Sequence, residues 1–169
     1  MGRAMALPQD LKYSETHEWI RIIEKKDPKN KKAKPELIGI IGITGYAVSR
    51  LSDLVHVDLP NAGENIEQGH AFGEVESVKT VAELVSPVTG KVLDVNKEAV
   101  KHVDLIMEEP YEDGWLIKVK LNDKAETETL MSDKEYEEYI KTADEADEKE
   151  DDEEGEDEEE EEIDEGFFM

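Results

Sequence analysis

Apolar and polar residues alternate with a period of two along much of the chain up to Leu121, which is the spacing of β-strands. The segments predicted as strands are 18–23, 37–43, 55–60, 71–75, 82–90, 90–95 and 115–121. Turn-forming glycine, proline and asparagine residues separate several of them. Many short strands with few helices predict a mainly β fold, a β-sandwich or flattened barrel.

Three segments have helical spacing or helix-capping signals instead. Thr44 can cap a short helix whose apolar positions are Val48 and Leu51. One short helix is expected within 97–109. Ser132-Asp133-Lys134-Glu135 is a capping box and opens a final helix. The inner face of that helix is expected to hold Tyr136, Tyr139 and Ile140.

Length and charge divide the 169 residues into one domain and an acidic tail. The chain has a formal charge of −25, and 18 of its 45 acidic residues lie in 142–169 beside a single lysine. Such a block has few apolar residues to offset the entropy of ordering, so we expect 142–169 to be disordered. The predicted organisation is an N-terminal extension over 1–10, a domain over 11–141 and the acidic tail over 142–169.

Composition also excludes several classes of function. The chain has no cysteine, which excludes disulfides and thiolate metal sites, and its four histidines are scattered, so we expect no metal site. The negative charge argues against binding to nucleic acid. No apolar run reaches the roughly 20 residues needed to cross a bilayer, and no leader is visible at the start. We therefore expect a cytoplasmic monomer that does not enter membranes.

A second charge bias lies at 24–36, where six lysines and two prolines crowd a short segment. This composition predicts an exposed loop inserted between two strands, with no dedicated partner. An alternative hypothesis pairs the loop with the acidic tail, because opposite charges tethered on one chain meet at high effective concentration.

The hexapeptide Glu76-Ser77-Val78-Lys79-Thr80-Val81 contains the residue of greatest chemical interest. Lys79 falls at the predicted tip of a β-hairpin, between the strand segments 71–75 and 82–90. A lysine displayed in this way can carry a cofactor. From the tip alone an ordinary solvated lysine is an equally good interpretation.

The segment Gly73-Glu74-Val75-Glu76-Ser77-Val78-Lys79 resembles the lipoylation site of glycine cleavage system H proteins. Further segments resemble that family in the same order: His17-Glu18-Trp19, Gly42-Ile43-Thr44, Val57-Asp58-Leu59-Pro60, Ser86 to Val92, and Gly114 to Val119. The similarity runs from about Leu11 to Ile140. It implies a lipoyl-domain-like β-sandwich or flattened barrel, a barrel-sandwich hybrid, with a few short helices and a C-terminal helix.

The resemblance implies a carrier protein that is a substrate of other enzymes, with lipoic acid in amide linkage to Lys79. The lipoyl group would shuttle the aminomethyl group of glycine between a glycine decarboxylase, an aminomethyltransferase and dihydrolipoamide dehydrogenase. A lipoate ligase or lipoyl transferase would recognise the residues before the lysine, which are Glu76, Ser77 and Val78. Glu18 and Glu83 match positions that line the cleft for the aminomethyl-loaded arm in that family.

Some positions depart from the family pattern. Val103-Asp104-Leu105-Ile106-Met107 replaces a usual Pro-Glu-Leu-Ile-Asn, and Ser52 replaces a usual glycine. Related carriers serve other lipoate-dependent systems, such as sulfur oxidation or lipoyl relay, so that role stays open. A third hypothesis is a β-sandwich interaction module without lipoate, which uses the acidic tail to bind a basic partner.

Overall fold

The computed structural model describes residues 7–144. Residues 1–6 and 145–169 lie outside the described range. They include most of the expected N-terminal extension and most of the expected acidic tail. All the strands belong to one compact unit that ends at Tyr136.

Nine strands form two antiparallel sheets in the described part of the chain. The strands are β1 (Lys12–Tyr13), β2 (Glu18–Lys25), β3 (Glu36–Ile43), β4 (Leu54–Asp58), β5 (Asn65–Ile66), β6 (Ala71–Ser77), β7 (Val81–Val85), β8 (Gly90–Val95) and β9 (Ile117–Leu121). The larger sheet has the order β1-β2-β3-β9-β8-β5, and the smaller has the order β4-β6-β7. The mainly β fold is confirmed, and the sheets do not close into a barrel.

One buried apolar cluster joins the two sheets. The larger sheet contributes residues such as Ile20, Ile41 and Val119, and the smaller contributes Val75 and Leu84. Each is at most 1% exposed, and burying such a side chain contributes about 1.5–3 kcal/mol. Because strand residues alternate between faces, a register slip of one residue would expose this whole set.

The helices are short, apart from the last one. They are α1 (Gly45–Leu51), α2 (Lys97–Lys101), α3 (Asp104–Glu108), a 3₁₀ helix (Lys124–Thr129) and the final helix α4 over 133–144. Thr44 caps α1 as predicted, since its side chain accepts a hydrogen bond from the Ala47 N–H. The predicted capping box is also confirmed, because the Ser132 N–H donates to Glu135 Oε1 (2.9 Å) and the Glu135 N–H donates to Ser132 Oγ (3.2 Å).

The prediction of a single helix within 97–109 was wrong, because the segment contains two. The side chain of Asn96 caps the first turn of α2, and the chain leaves helical geometry at His102, where φ is −131°. The Asn96 amide also donates to the carbonyls of Asp113 (2.9 Å) and Trp115 (2.6 Å). These tertiary bonds fix the start of α2, and the sequence pattern does not reveal them.

The strand predicted over 82–90 was too long, because β7 ends at Val85. Ser86 turns the chain there, since its hydroxyl bonds the Val88 carbonyl (2.5 Å) and its N–H donates to the His70 carbonyl (2.9 Å). The two-residue strands β1 and β5 were not predicted, since so short a segment has no periodicity to read.

Within residues 7–144, none of the helices has both the length and the apolar character that crossing a bilayer requires.

Candidate functional site

The hairpin of β6 and β7 places Lys79 at its tip. β6 ends at Ser77 and β7 begins at Val81, so the turn consists of Val78, Lys79 and Thr80. The Ser77 N–H donates to the Thr80 carbonyl (2.8 Å) and closes the turn. The Lys79 side chain is exposed, and its ammonium makes no ion pair with any residue of the described range 7–144. The amine is therefore available to a modifying enzyme.

The hydroxyl of Ser77 fixes the backbone of this tip. Its Oγ accepts hydrogen bonds from the N–H groups of Lys79 and Thr80, both at 3.1 Å, and it lies 3.3 Å from the Thr80 carbonyl, to which it donates. Ser77 is only 5% exposed, whereas its neighbours Glu76 and Val78 are exposed, Val78 by 65%. Of the three predicted recognition residues, Ser77 thus acts on the shape of the turn, and the other two present side chains to solvent.

A second contact holds the tip from the connection that precedes β4. The Val78 N–H donates to the Asp53 carbonyl (3.0 Å), in the connection between α1 and β4. Asp53 follows Ser52, whose φ of 61° and ψ of −151° lie in a backbone region occupied almost only by glycine. Sequence reasoning did not assign this contact to the site. The available signal was Ser52 itself, which stands where the resemblance noted from the sequence implies glycine.

Glu18 lies at the start of β2 and is only 2% exposed. Its carboxylate accepts hydrogen bonds from the hydroxyls of Ser14 (2.9 Å) and Thr16 and from the N–H of Val85 (2.9 Å). Burial raises the pKa of Glu18 to about 7, although these hydrogen bonds act in the opposite direction. Val85 is six residues from Lys79 along β7, or roughly 20 Å at the rise of a strand. The carboxylate thus binds the base of the hairpin, far from its tip.

Glu83 has a different environment from Glu18. It is exposed on β7, directly opposite Glu74 of β6, which in turn lies opposite Asp58 of β4. Three carboxylates thus stand in one row across the smaller sheet. Both predicted cleft residues belong to the structure around this hairpin, but one is buried and the other is open to solvent.

A polar network supports the turn that carries Glu18. The carbonyl of His17 accepts the N–H of Thr44 (3.0 Å), and its ring Nδ1 bonds the hydroxyl of Tyr136 (2.8 Å), which also bonds Thr44 Oγ1 (2.7 Å). His17 has a φ of 77°, so this turn takes a left-handed residue just before the buried carboxylate. Burial and the positive charge of Arg50 lower the pKa of His17, which favours the neutral ring in this network.

Residues 7–144 hold no group of three histidine, cysteine or acidic side chains suited to a metal ion.

The sequence model for the family described as "Glycine cleavage H-protein" matches residues 11–143. The chain belongs to the glycine cleavage H-protein family. It is 42% identical over 135 residues to the glycine cleavage system H protein of Carboxydothermus hydrogenoformans, covering 80% of this chain and 95% of that one. It is 43% identical over 136 residues to that of Staphylococcus carnosus, covering 80% and 98%.

The fold agrees with this assignment. The crystal structure of a glycine cleavage system H protein from Mycobacterium marinum matches with a TM-score of 0.67 and 36% identity, covering 81% of this chain and 98% of the other. Glycine cleavage H proteins are carrier proteins for a lipoyl group and work with the enzymes of the glycine cleavage system. This chain is accordingly a lipoyl carrier of that system.

Proposed function

We propose that Lys79 bears the lipoyl group, as an amide of its side-chain amine. The observation that carries the proposal is an exposed ammonium that makes no ion pair within residues 7–144, on a three-residue turn held by Ser77 and by the Asp53 carbonyl. A free amine at a fixed position suits acylation by an enzyme. The attached lipoyl group would supply a disulfide that opens, with reduction, to take up the aminomethyl group on one sulfur, and dihydrolipoamide dehydrogenase would reoxidise the dithiol left after the group is removed.

The residues around Lys79 have separable roles in this proposal. Glu76 and Val78 present a carboxylate and an apolar surface on either side of Ser77, and a lipoate ligase or lipoyl transferase would read them directly. Ser77 is a positioning residue, because it acts through the backbone of Lys79. The chain contains no cysteine, so no thiol of its own competes with the cofactor for disulfide exchange.

We further propose Glu18 and Glu83 as residues of the cleft that receives the loaded arm. Glu18 offers a carboxylate at the base of the hairpin, where the Val85 N–H holds it. A carboxylate suits the cationic amine of an aminomethyl group, and low solvent exposure strengthens that attraction. Glu83 is exposed on β7 and would meet the arm from the outer surface.

The proposed partners are glycine decarboxylase, the aminomethyltransferase, dihydrolipoamide dehydrogenase and the enzyme that attaches lipoate. Each must reach the same tip, and the exposed turn allows them to act in sequence. In this proposal the H protein catalyses no step itself. The cytoplasmic location stays a prediction, which fractionation of the source cells would test.

The test is mass spectrometry after incubation with lipoate, ATP and a lipoate ligase. We expect one lipoyl group per chain, on the peptide that contains Lys79, and none in the Lys79→Arg variant. The Lys91→Arg variant is the matched control, because Lys91 is an exposed lysine on β8. Modification of Lys79→Arg to the same extent, or modification of the chain at another lysine, would overturn the assignment.

A second measurement addresses the glycine cleavage system itself. Lipoylated chain should support exchange of labelled bicarbonate into glycine by glycine decarboxylase, and Lys79→Arg should not. Absence of exchange with fully lipoylated chain would contradict the role in glycine cleavage while leaving the attachment site intact.

A further inference from the structure

The loop between β2 and β3 is shaped by hydrogen bonds among its own residues. It spans 26–35, since β2 ends at Lys25 and β3 begins at Glu36. Asp27 Oδ1 accepts the Lys29 N–H (2.9 Å) and Asn30 Oδ1 accepts the Lys32 N–H (3.1 Å), so two successive side-chain turns shape the loop. The Asn30 N–H also donates to the Asp27 carbonyl (3.2 Å).

Within residues 7–144, no ion pair neutralises the charge of this segment. Six lysines lie within 25–34, against the single carboxylate of Asp27; they are Lys25, Lys26, Lys29, Lys31, Lys32 and Lys34. All six are exposed, and none of them makes an ion pair with residues 7–144. A compact cluster of like charges without counterions attracts an oppositely charged partner.

The strand that leads into the loop has an open edge. On the side away from β3, strand β1 pairs with β2 only through Lys12 and Tyr13, opposite Ile20 and Trp19. Among residues 7–144, no strand pairs with 21–25 on that side. Such an edge presents main-chain N–H and C=O groups that can bond to an added strand.

The sheet surface beside this edge is apolar and basic. Ile23 is 42% exposed and lies opposite Ile38 of β3, which lies opposite Lys120 of β9, whose ammonium pairs with Glu36 (3.5 Å). Exposed apolar surface of this kind favours a peptide with apolar side chains over a chain of phosphates. The edge, the exposed Ile23 and the lysine cluster are contiguous along one strand and its loop.

We propose that the open edge of β2 and the lysine loop together form a docking site for an extended acidic segment of a partner protein. The segment adds a strand beside 21–25, sets an apolar side chain against Ile23 and places its carboxylates among the loop lysines. Main-chain bonds supply affinity, and the lysines supply selectivity for acidic sequences and a fast encounter. The inference is independent of the proposal for Lys79, because the two hairpins belong to different sheets.

The test uses the full-length chain, labelled with ¹⁵N, and a synthetic peptide of about twelve residues that alternates glutamate and valine. At low ionic strength we expect saturable amide shifts in 21–25 and in the loop, with an affinity that weakens as salt is added. The triple variant Lys29→Gln, Lys31→Gln, Lys32→Gln should lose about tenfold in affinity. Its matched control is Lys91→Gln, Lys97→Gln, Lys101→Gln, which removes the same charge from exposed positions elsewhere and should bind nearly as the parent does.

Two further probes test whether the peptide binds by adding a strand and whether the site prefers an acidic peptide to a nucleic acid. A peptide with the same sequence but with alternate backbone nitrogens methylated keeps its charge and cannot pair fully with the edge, so it should bind at least tenfold more weakly. Equal binding of the methylated peptide, or equal loss in both triple variants, would overturn the proposal. So would the absence of saturable shifts, or tighter binding of a single-stranded oligonucleotide of the same charge to the same residues.

Discussion

The two hairpins, β6–β7 and β2–β3, both present lysine, but they do so in opposite ways. The β6–β7 hairpin has a three-residue turn with one lysine, and that turn is bonded by Ser77 and by the Asp53 carbonyl. The β2–β3 hairpin has a ten-residue loop, and the hydrogen bonds within it come from its own Asp27 and Asn30.

The difference in restraint matches two different uses of lysine. A single amine that must enter the pocket of an enzyme requires a fixed position, and the Ser77 hydroxyl and the Asp53 carbonyl restrain the short turn accordingly. A charged surface acts through its summed field, which tolerates local motion and needs only a high density of lysines. Lysine therefore provides one amine at a fixed position in the β6–β7 hairpin and a high density of positive charge in the β2–β3 hairpin.

The largest expected effect comes from a substitution that loosens the smaller sheet. A methyl group added at Gly73 of β6 would collide with the backbone carbonyl of Asp58, which cannot rotate away. We expect Gly73→Ala to lower the free energy of unfolding by about 3 kcal/mol and to slow lipoylation. The control, Gly39→Ala in β3, would meet the Ile20 side chain at 2.6 Å.

Denaturant unfolding of both variants measures the contrast. Gly39→Ala should cost less than Gly73→Ala, because a side-chain end can shift more easily than a backbone carbonyl. An equal or greater loss of stability in Gly39→Ala would mean that the contact between Gly73 and the Asp58 carbonyl is no tighter than the contact between Gly39 and the Ile20 side chain.

Glu18 connects the two hairpins, since it lies on β2 and accepts the Val85 N–H of β7. Its pKa is raised from 4.5 to about 7, so the folded chain binds the proton more tightly than the unfolded chain does. The corresponding stabilisation is fully present below about pH 4.5 and is lost as the pH rises through about 7. Relative to Glu18→Gln, the parent should lose about 2–3 kcal/mol across this range.

The measurement is the free energy of unfolding of both chains at several pH values. Other carboxylates contribute equally to both, so the difference isolates Glu18. A difference that does not change between pH 4.5 and about 7 would show that burial does not raise this pKa.

Removing the Ser77 hydroxyl tests the restraint on the tip more selectively. Ser77→Ala deletes the acceptor for the Lys79 and Thr80 N–H groups, and we expect kcat/KM for lipoylation to fall about tenfold, or roughly 1.4 kcal/mol. Ser77→Thr retains a hydroxyl and should recover part of the rate. Asn30→Ala, which removes a side-chain turn from the other hairpin, should leave the rate unchanged.

The outcome that contradicts this prediction is an unchanged rate in Ser77→Ala, since the turn would then hold Lys79 without the hydroxyl. An equal loss in Asn30→Ala would show that the rate depends on general stability.

The smallest expected effect concerns Ser52, which immediately precedes Asp53, the residue whose carbonyl accepts the Val78 N–H. Ser52→Gly relieves a backbone conformation with φ of 61° and should stabilise the chain by about 1 kcal/mol. Ser49→Gly, in the exposed middle of α1, should instead destabilise it by about 0.5 kcal/mol. Thermal unfolding of the two variants compares the signs, and a loss of stability in Ser52→Gly would show that the serine is not strained there.

Several features followed from the sequence because their causes are local. Alternation predicted most of the longer strands, and the side chains of Thr44, Ser132 and Glu135 predicted the helix starts at which they make cap bonds. The position of Lys79 in a tight turn between two strand segments was visible for the same reason. The division of 97–109 into two helices was not, since its causes include bonds from Asn96 to distant carbonyls.

By itself, the sequence determined the mainly β class, the hairpin that bears Lys79 and the concentration of positive charge at 25–34, because periodicity, turn residues and charge act over a few neighbouring positions. Only the tertiary structure decided that Glu18 is buried against Val85, that Asp53 holds the turn and that no strand of residues 7–144 covers the outer edge of β2 at 21–25. These features depend on which strands become neighbours. That arrangement arises from packing of the whole core, which no short stretch of residues encodes.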